Sequence, residues 1–305
     1  MYAAIDIGTN TVRLLIGKIE DGHVIPLRYE RAITRLGGCR TPHQGLDRAS
    51  MERTLAVLMT FAQAVEMSGC TTLRAVATEA VRSAVNGAQF VSSVSRRCGL
   101  DIDIVSGINE AQLSASGALS VIQPTPKHSL IIDIGGGSTE LIYCHAKTVM
   151  LAKSYPIGAV GLYEIIDDAE RRHRQALFAE ELATDFAELK GGDDVTLIGT
   201  AGTITTVAAA LMKMTEYDWK RVNNVRFSIN QLNDFYEQLS LLSVVERENL
   251  PGVETGRGDI LPVGIEILQA VFHAFAKTEM TVADFGLLEG LLLSMADRSP
   301  ARSED

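Results

Sequence analysis

Two aspartates close short apolar runs, and each leads into a glycine turn carrying hydroxyl side chains: Asp6-Ile7-Gly8-Thr9-Asn10-Thr11 and Asp133-Ile134-Gly135-Gly136-Gly137-Ser138-Thr139. A carboxylate at the end of an apolar strand is costly to desolvate unless it meets a cation or hydrogen-bond donors. Glycine removes the Cβ that would block close approach, so such turns can present successive backbone N–H groups to phosphate oxygens. A third loop of this kind is Gly199-Thr200-Ala201-Gly202-Thr203. A mononucleotide P-loop needs G-x-x-x-x-G-K-[ST], and a dinucleotide fingerprint needs a helix directly after the glycines. The first two loops fit neither, because residues 12–16 and 139–143 read as strands. Only the third leads from a strand into a helix, whose N-terminus adds partial positive charge. Each turn alone is an ordinary connection. Together they suggest a phosphate-chain site in which Asp6 and Asp133, at equivalent ends of two repeated units, hold a hydrated Mg²⁺ across an interdomain cleft.

The elements that must position these groups follow from periodicity. Residues 2–7 and 11–19 are β-branched runs around the first turn, and Asp21-Gly22 turns the chain again. Apolar residues at three- and four-residue spacing predict a helix over 47–68, closed by Ser68-Gly69. A strand over 72–78, a helix over 80–97 stopped at Cys98-Gly99, a strand over 102–105 and a helix from Ser106 towards Val121 come next. Pro124 and Pro126 mark a linker. The pattern then restarts: strand, glycine turn and strand over 130–144, helices within 161–189, a strand over 195–198 and a helix over 203–214. Helices over 229–242 and 262–275, a strand over 279–282, a helix over 286–296 and a polar tail complete the chain. The expected organisation is a first domain over 1–123 completed by the last helix, 286–297, a second domain over 124–285, and a frayed tail over 299–305.

Composition narrows the chemistry. The 305 residues are 46% hydrophobic and 22% charged with only 8 prolines, which places them among globular rather than disordered chains. With 28 basic against 38 acidic residues the formal charge is −10, so bulk binding to nucleic acid is not expected. No apolar run approaches the roughly 20 residues of a membrane span, and no basic segment leads into an apolar stretch at the N-terminus. A cytoplasmic location is expected. Cys39, Cys70, Cys98 and Cys144 have no C-x-x-C spacing and read as reduced, buried thiols. The six histidines have no ligand spacing, and Arg171-Arg172-His173-Arg174, beside Asp167, Asp168 and Glu170, reads as a solvated helix face.

Six motifs in order carry a resemblance: Asp6 to Ile16, Ala77-Thr78-Glu79-Ala80-Val81-Arg82 with Asn86, Ser106-Gly107-Ile108-Asn109-Glu110-Ala111, Asp133 to Glu140, Pro156-Ile157-Gly158-Ala159-Val160, and Gly199 to Thr203. The chain resembles the exopolyphosphatase and guanosine pentaphosphate phosphohydrolase family, Ppx/GppA, over residues 2–297. The resemblance implies an α/β fold of two ribonuclease-H-like domains, as in the actin, hexokinase and Hsp70 superfold. It makes Glu110 the base that orients a water at the terminal phosphorus. It gives phosphate contacts to Gly8, Thr9, Asn10, Thr11, Arg82, Gly135, Gly136, Gly137, Ser138, Thr139, Gly199, Thr200, Gly202 and Thr203, and metal binding to Asp6 and Asp133. Mg²⁺, with Mn²⁺ as the alternative ion, and polyphosphate or guanosine pentaphosphate as substrate are the expected cofactor and partner, and a homodimer is compatible with it. Where many relatives carry arginine, this chain has Gln112, Gly161 and Leu288, so a preference for short phosphate chains is expected. A small-molecule kinase of the same superfold and a catalytically weak phosphate-chain sensor are the competing readings.

Overall fold

The computed structural model describes residues 1–38, 45–189 and 194–296. Cys39, His43 and the tail over 299–305 lie outside the described residues. The chain divides into two compact units, Met1–Ser120 together with the chain from Phe285, and Val121–Asp284.

In the first unit β1 (Tyr2–Ile7), β2 (Thr11–Glu20) and β3 (His23–Ile33) form an antiparallel meander. The β2–β3 turn places Asp21 at φ 50° and Gly22 at φ 75°, the two left-handed residues that match a tight hairpin to strand twist. The strand β3 was not legible from periodicity, because as a sheet edge it leaves Ile25, Leu27 and Tyr29 in water. Next comes α1 (Arg48–Met67), capped by Asp47, whose carboxylate accepts from the Ala49 and Ser50 N–H groups. Its Leu55, Leu58, Phe61 and Val65 are buried in the unit's core, while Met59, which belongs to the predicted apolar spacing, is exposed.

The strand β4 (Thr72–Ala77) lies parallel to β1. The helix predicted over 80–97 is broken into α2 (Glu79–Arg82) and α3 (Gly87–Cys98). The reason is tertiary: the Asn86 side chain bonds both backbone groups of Leu46, accepting from its N–H at 2.7 Å and donating to its carbonyl at 3.0 Å. Gly99, at φ 66°, ends α3 as expected. The strand β5 (Ile102–Ile104) and α4 (Gly107–Val121) follow, giving the sheet order β3-β2-β1-β4-β5.

The second unit repeats the plan. Strands β6 (His128–Ile134), β7 (Thr139–His145) and β8 (Thr148–Tyr155) form the meander, followed by α5 (Ala159–Tyr163) and α6 (Asp168–Asp185). Strand β9 (Val195–Thr200) runs parallel to β6 and leads straight into α7 (Ala201–Leu211). After α8 (Trp219–Val222), β10 (Arg226–Ser228), α9 (Ile229–Ser240) and α10 (Val244–Glu248) come α11 (Leu261–Ala274) and β11 (Glu279–Val282). The order β8-β7-β6-β9-β11 matches that of the first sheet, with β10 added antiparallel at the edge. The last helix, α12 (Leu287–Ala296), packs in the first unit, where the Gly290 backbone lies against the Leu113 carbonyl. Both units are mixed sheets with helices, the α/β class and duplicated strand order expected of ribonuclease-H-like units. No described helix is long and apolar enough to cross a membrane.

Candidate functional site

The β1–β2 turn is closed by the Gly8 N–H donating to the Thr11 carbonyl at 3.1 Å. Asp6 ends β1 buried, opposite Arg13 in register. The Arg13 guanidinium donates to Asp6 Oδ2 through Nε at 2.8 Å and Nη2 at 2.6 Å. Asp6 Oδ1 and both polar atoms of the Asn10 side chain are buried and have no hydrogen-bond partner among the described residues. Buried polar atoms of this kind are uncommon in folded proteins and are usually met by a water, an ion or a ligand.

Glu110, Arg82 and Glu79 meet beyond the carboxyl ends of the parallel strands β4 and β5. The Glu110 N–H donates to the Ser106 carbonyl at 2.9 Å, which places its carboxylate in the first turn of α4 as the motif requires. That carboxylate is buried, and Arg82 Nη1 donates to its Oε2 at 2.9 Å and to the Val105 carbonyl at 2.8 Å. Arg82 Nη2 donates to Glu79 Oε2 at 2.7 Å. Burial works against the Arg82 charge, but Glu110 and Glu79 outweigh it and hold its pKa above the ordinary guanidinium value. Arg82 is thus no solvated surface cation. It fixes the rotamer of Glu110, and Glu79 fixes Arg82 in turn.

In the second unit the β6–β7 turn repeats the first: the Gly135 N–H donates to the Ser138 carbonyl at 3.0 Å. Register pairing sets Asp133 beside Thr200 on β9 and opposite Glu140 on β7, so the second and third loops lie side by side. The Pro156 to Val160 motif is tied onto the turn by the Ala159 N–H on the Gly135 carbonyl at 3.0 Å and the Val160 N–H on the Gly136 carbonyl at 2.8 Å. Gly158 permits this, because a Cβ there would collide with the Gly136–Gly137 peptide. Glu140 is buried and accepts from Ser154 Oγ at 2.6 Å. Ala201 holds the third loop at φ 67°, a conformation that an alanine adopts only under local strain. No side chain caps α7, which leaves its first N–H groups at the loop.

Three groups escaped the sequence reading. Arg13 and Glu140 lie inside the quoted motifs, and only register shows that each stands across from a strand-end aspartate. Arg257 lies far along the chain, yet its guanidinium packs on Gly202 so closely that any Cβ there would overlap Nη1 and Nη2. Its Nε donates to Glu254 Oε2 at 3.0 Å and its side chain is only 12% exposed. No local pattern marks such an arginine, because its role depends on packing between distant segments. Leu288, one of the absent arginines, is buried at 2% exposure in the first unit. The basic run on α6 is a solvated face, with Arg171 paired to Asp168 and Arg174 to Glu170.

Glycine loops and buried carboxylates at the carboxyl ends of parallel strands define an α/β protein built to handle phosphate. The chain belongs to the Ppx/GppA phosphatase family, which it matches over residues 15–299. A putative exopolyphosphatase of Haemophilus influenzae is 29% identical over 302 residues, covering 96% of this chain and 90% of that protein. A guanosine-5'-triphosphate,3'-diphosphate pyrophosphatase of Aeromonas hydrophila is 28% identical over 304 residues; the match takes in 97% of this chain but only 59% of that longer protein. Among solved structures, the Aquifex aeolicus family member superposes with a TM-score of 0.79 at 29% identity, covering 98% of this chain and 99% of the other. An exopolyphosphatase from Cytophaga hutchinsonii gives a TM-score of 0.86 at 25% identity, covering 98% of both.

Proposed function

We propose that this chain hydrolyses the terminal phosphoanhydride of inorganic polyphosphate, short chains favoured, or of guanosine pentaphosphate, releasing orthophosphate with Mg²⁺ as its divalent ion. The single observation that carries this reading is Glu110: a buried carboxylate locked by Arg82 in the first turn of α4. Phosphoanhydride cleavage passes through a loose transition state, so placing a water in line and stabilising spread negative charge dominate the catalysis. A fixed carboxylate suits the placing of water, since it accepts a hydrogen bond from the attacking molecule and then takes its proton. Charge stabilisation falls to donors on the three turns, to the uncapped start of α7 and to Arg257, whose planar fork matches phosphate oxygens.

The donor set also fits a hard cation. In the second unit, Asp133 and Glu140 across from it supply the carboxylate oxygens that would hold Mg²⁺. When bound, the ion neutralises charge on the phosphate oxygens. The absence of arginine at Gln112, Gly161 and Leu288 supports the short-chain preference, because an extended groove for a long polyanion gains most from such charges.

Phosphate release measured across polyphosphate lengths and guanosine pentaphosphate tests the proposal. Glu110→Gln keeps the shape and removes the base, so turnover should fall by at least ~100-fold with phosphate-chain binding retained. Undiminished turnover in that variant rejects the role of Glu110. Faster release from long than from short chains, at matched end concentration, rejects the short-chain assignment.

A further inference from the structure

The far end of the β6–β7 hairpin, away from the Gly135–Ser138 turn, carries a second cluster of ligating groups. His128 and His145 are register partners on the antiparallel ladder, so their side chains leave the same face of the sheet. Their ring centroids lie 5.0 Å apart with planes inclined by 42°. His128 Nδ1 is 2.8 Å from the Tyr143 hydroxyl, with the two rings within 5° of parallel. One ring nitrogen of His128 is therefore engaged, which directs ligation to Nε2. His145 is exposed, and His128 and Tyr143 are half-buried, so solutes reach the pair.

This is how metal-ligating histidines are built: two imidazoles close enough to share an ion, one held in orientation through its second nitrogen. Lys127 and Lys147 flank the pair in sequence, which disfavours an ion held by charge alone. Mg²⁺ prefers oxygen ligands and retains its water. Ions that bond imidazole nitrogen covalently depend less on the local field.

We propose that His128 and His145 form a two-histidine chelate for a borderline divalent transition-metal ion, Zn²⁺, Ni²⁺ or Cu²⁺, with water completing the shell. The ion pins the open end of the hairpin whose other end carries Asp133, about 17 Å away at ~3.3 Å per strand residue. None of the phosphate-site residues takes part, so the proposal stands or falls apart from the hydrolase reading.

The test is calorimetric titration of the full chain with Ni²⁺ in saturating Mg²⁺, with melting temperature as a second readout. One Ni²⁺ equivalent that Mg²⁺ does not displace is expected, together with a rise in melting temperature, since an ion that binds only the folded state stabilises it. His145→Gln should weaken binding by at least about tenfold, and His128→Gln with His145→Gln should abolish this equivalent. Tyr143→Phe should weaken it by up to about tenfold, the lower end for loss of an orienting partner. A readout on the unaltered chain guards against variants that fail to fold: sub-stoichiometric Cu²⁺ should broaden the imidazole NMR signals of His128 and His145 before those of His23, His173 and His273. No Ni²⁺ bound, equal affinity in the double variant, or broadening that begins at another histidine overturns the proposal.

Discussion

The β1–β2 and β6–β7 hairpins occupy the same slot in two repeats, close with the same glycine-to-carbonyl hydrogen bond and end in the same aspartate, yet they differ in charge. Across from Asp6 stands Arg13, bonded to it through two nitrogens; across from Asp133 stands Glu140. A carboxylate neutralised by a guanidinium has little left to offer a cation, whereas two facing carboxylates make the oxygen-rich set that a hard divalent ion prefers. The repeat therefore sets where an acid is placed, and one residue on the partner strand sets what that acid can do. We therefore propose that metal affinity rests mainly on the second hairpin, with Asp6 chiefly holding Arg13.

The largest effect should come from splitting the first pair. Arg13→Met strands a buried carboxylate and should lower stability by about 3 kcal/mol, the lower end for breaking a buried pair because Arg13 keeps part of its surface in water. Denaturant unfolding measures it, and pairing the change with Asp6→Asn should restore most of the loss. If the single variant is as stable as the parent, the ion pair is no anchor.

The second hairpin should respond in affinity instead. Glu140→Gln should weaken Mn²⁺ binding, followed by electron paramagnetic resonance, by about 10- to 100-fold, while Asp6→Asn changes it far less. Equal losses in the two variants would erase the distinction between the hairpins.

A smaller effect separates charge from geometry at the third loop. Arg257→Lys keeps the cation but loses the planar fork, and kcat/KM on a phosphate-chain substrate should drop about tenfold, near the worth of one charge-assisted hydrogen bond. An unchanged value would remove Arg257 from the site. The smallest effect expected is a gain: Ala201→Gly relieves the left-handed alanine and should leave stability equal or up to about 0.5 kcal/mol higher, after the extra freedom of glycine in the unfolded chain is counted. A clear loss on thermal unfolding would show that the Ala201 methyl group packs usefully.

Much of this was legible in the linear pattern. The glycine turns, strand ends and the third strand-to-helix loop are local features, written in consecutive residues, whereas Glu110 was singled out by the family resemblance, since an acid in the first turn of a helix is by itself ordinary. The interrupted helix was not, because Asn86 breaks it by bonding Leu46, a residue 40 positions away. Nor were β3 and β8, whose half-solvated positions blur the apolar alternation that marks a strand. The fixing of Arg82 between Glu79 and Glu110 was half visible: the motifs named each residue, but not that one guanidinium would serve both carboxylates.

The order of residues alone determined that this chain folds as two repeats of one α/β plan and that each repeat ends a strand in an acid beside a glycine turn, because turn chemistry and strand periodicity act over a few neighbours. Tertiary structure decided which partner each acid meets and that Arg257 packs on the third loop. Those outcomes depend on ladder register and on packing between segments far apart in the chain, and neither leaves a periodic trace in the residues themselves.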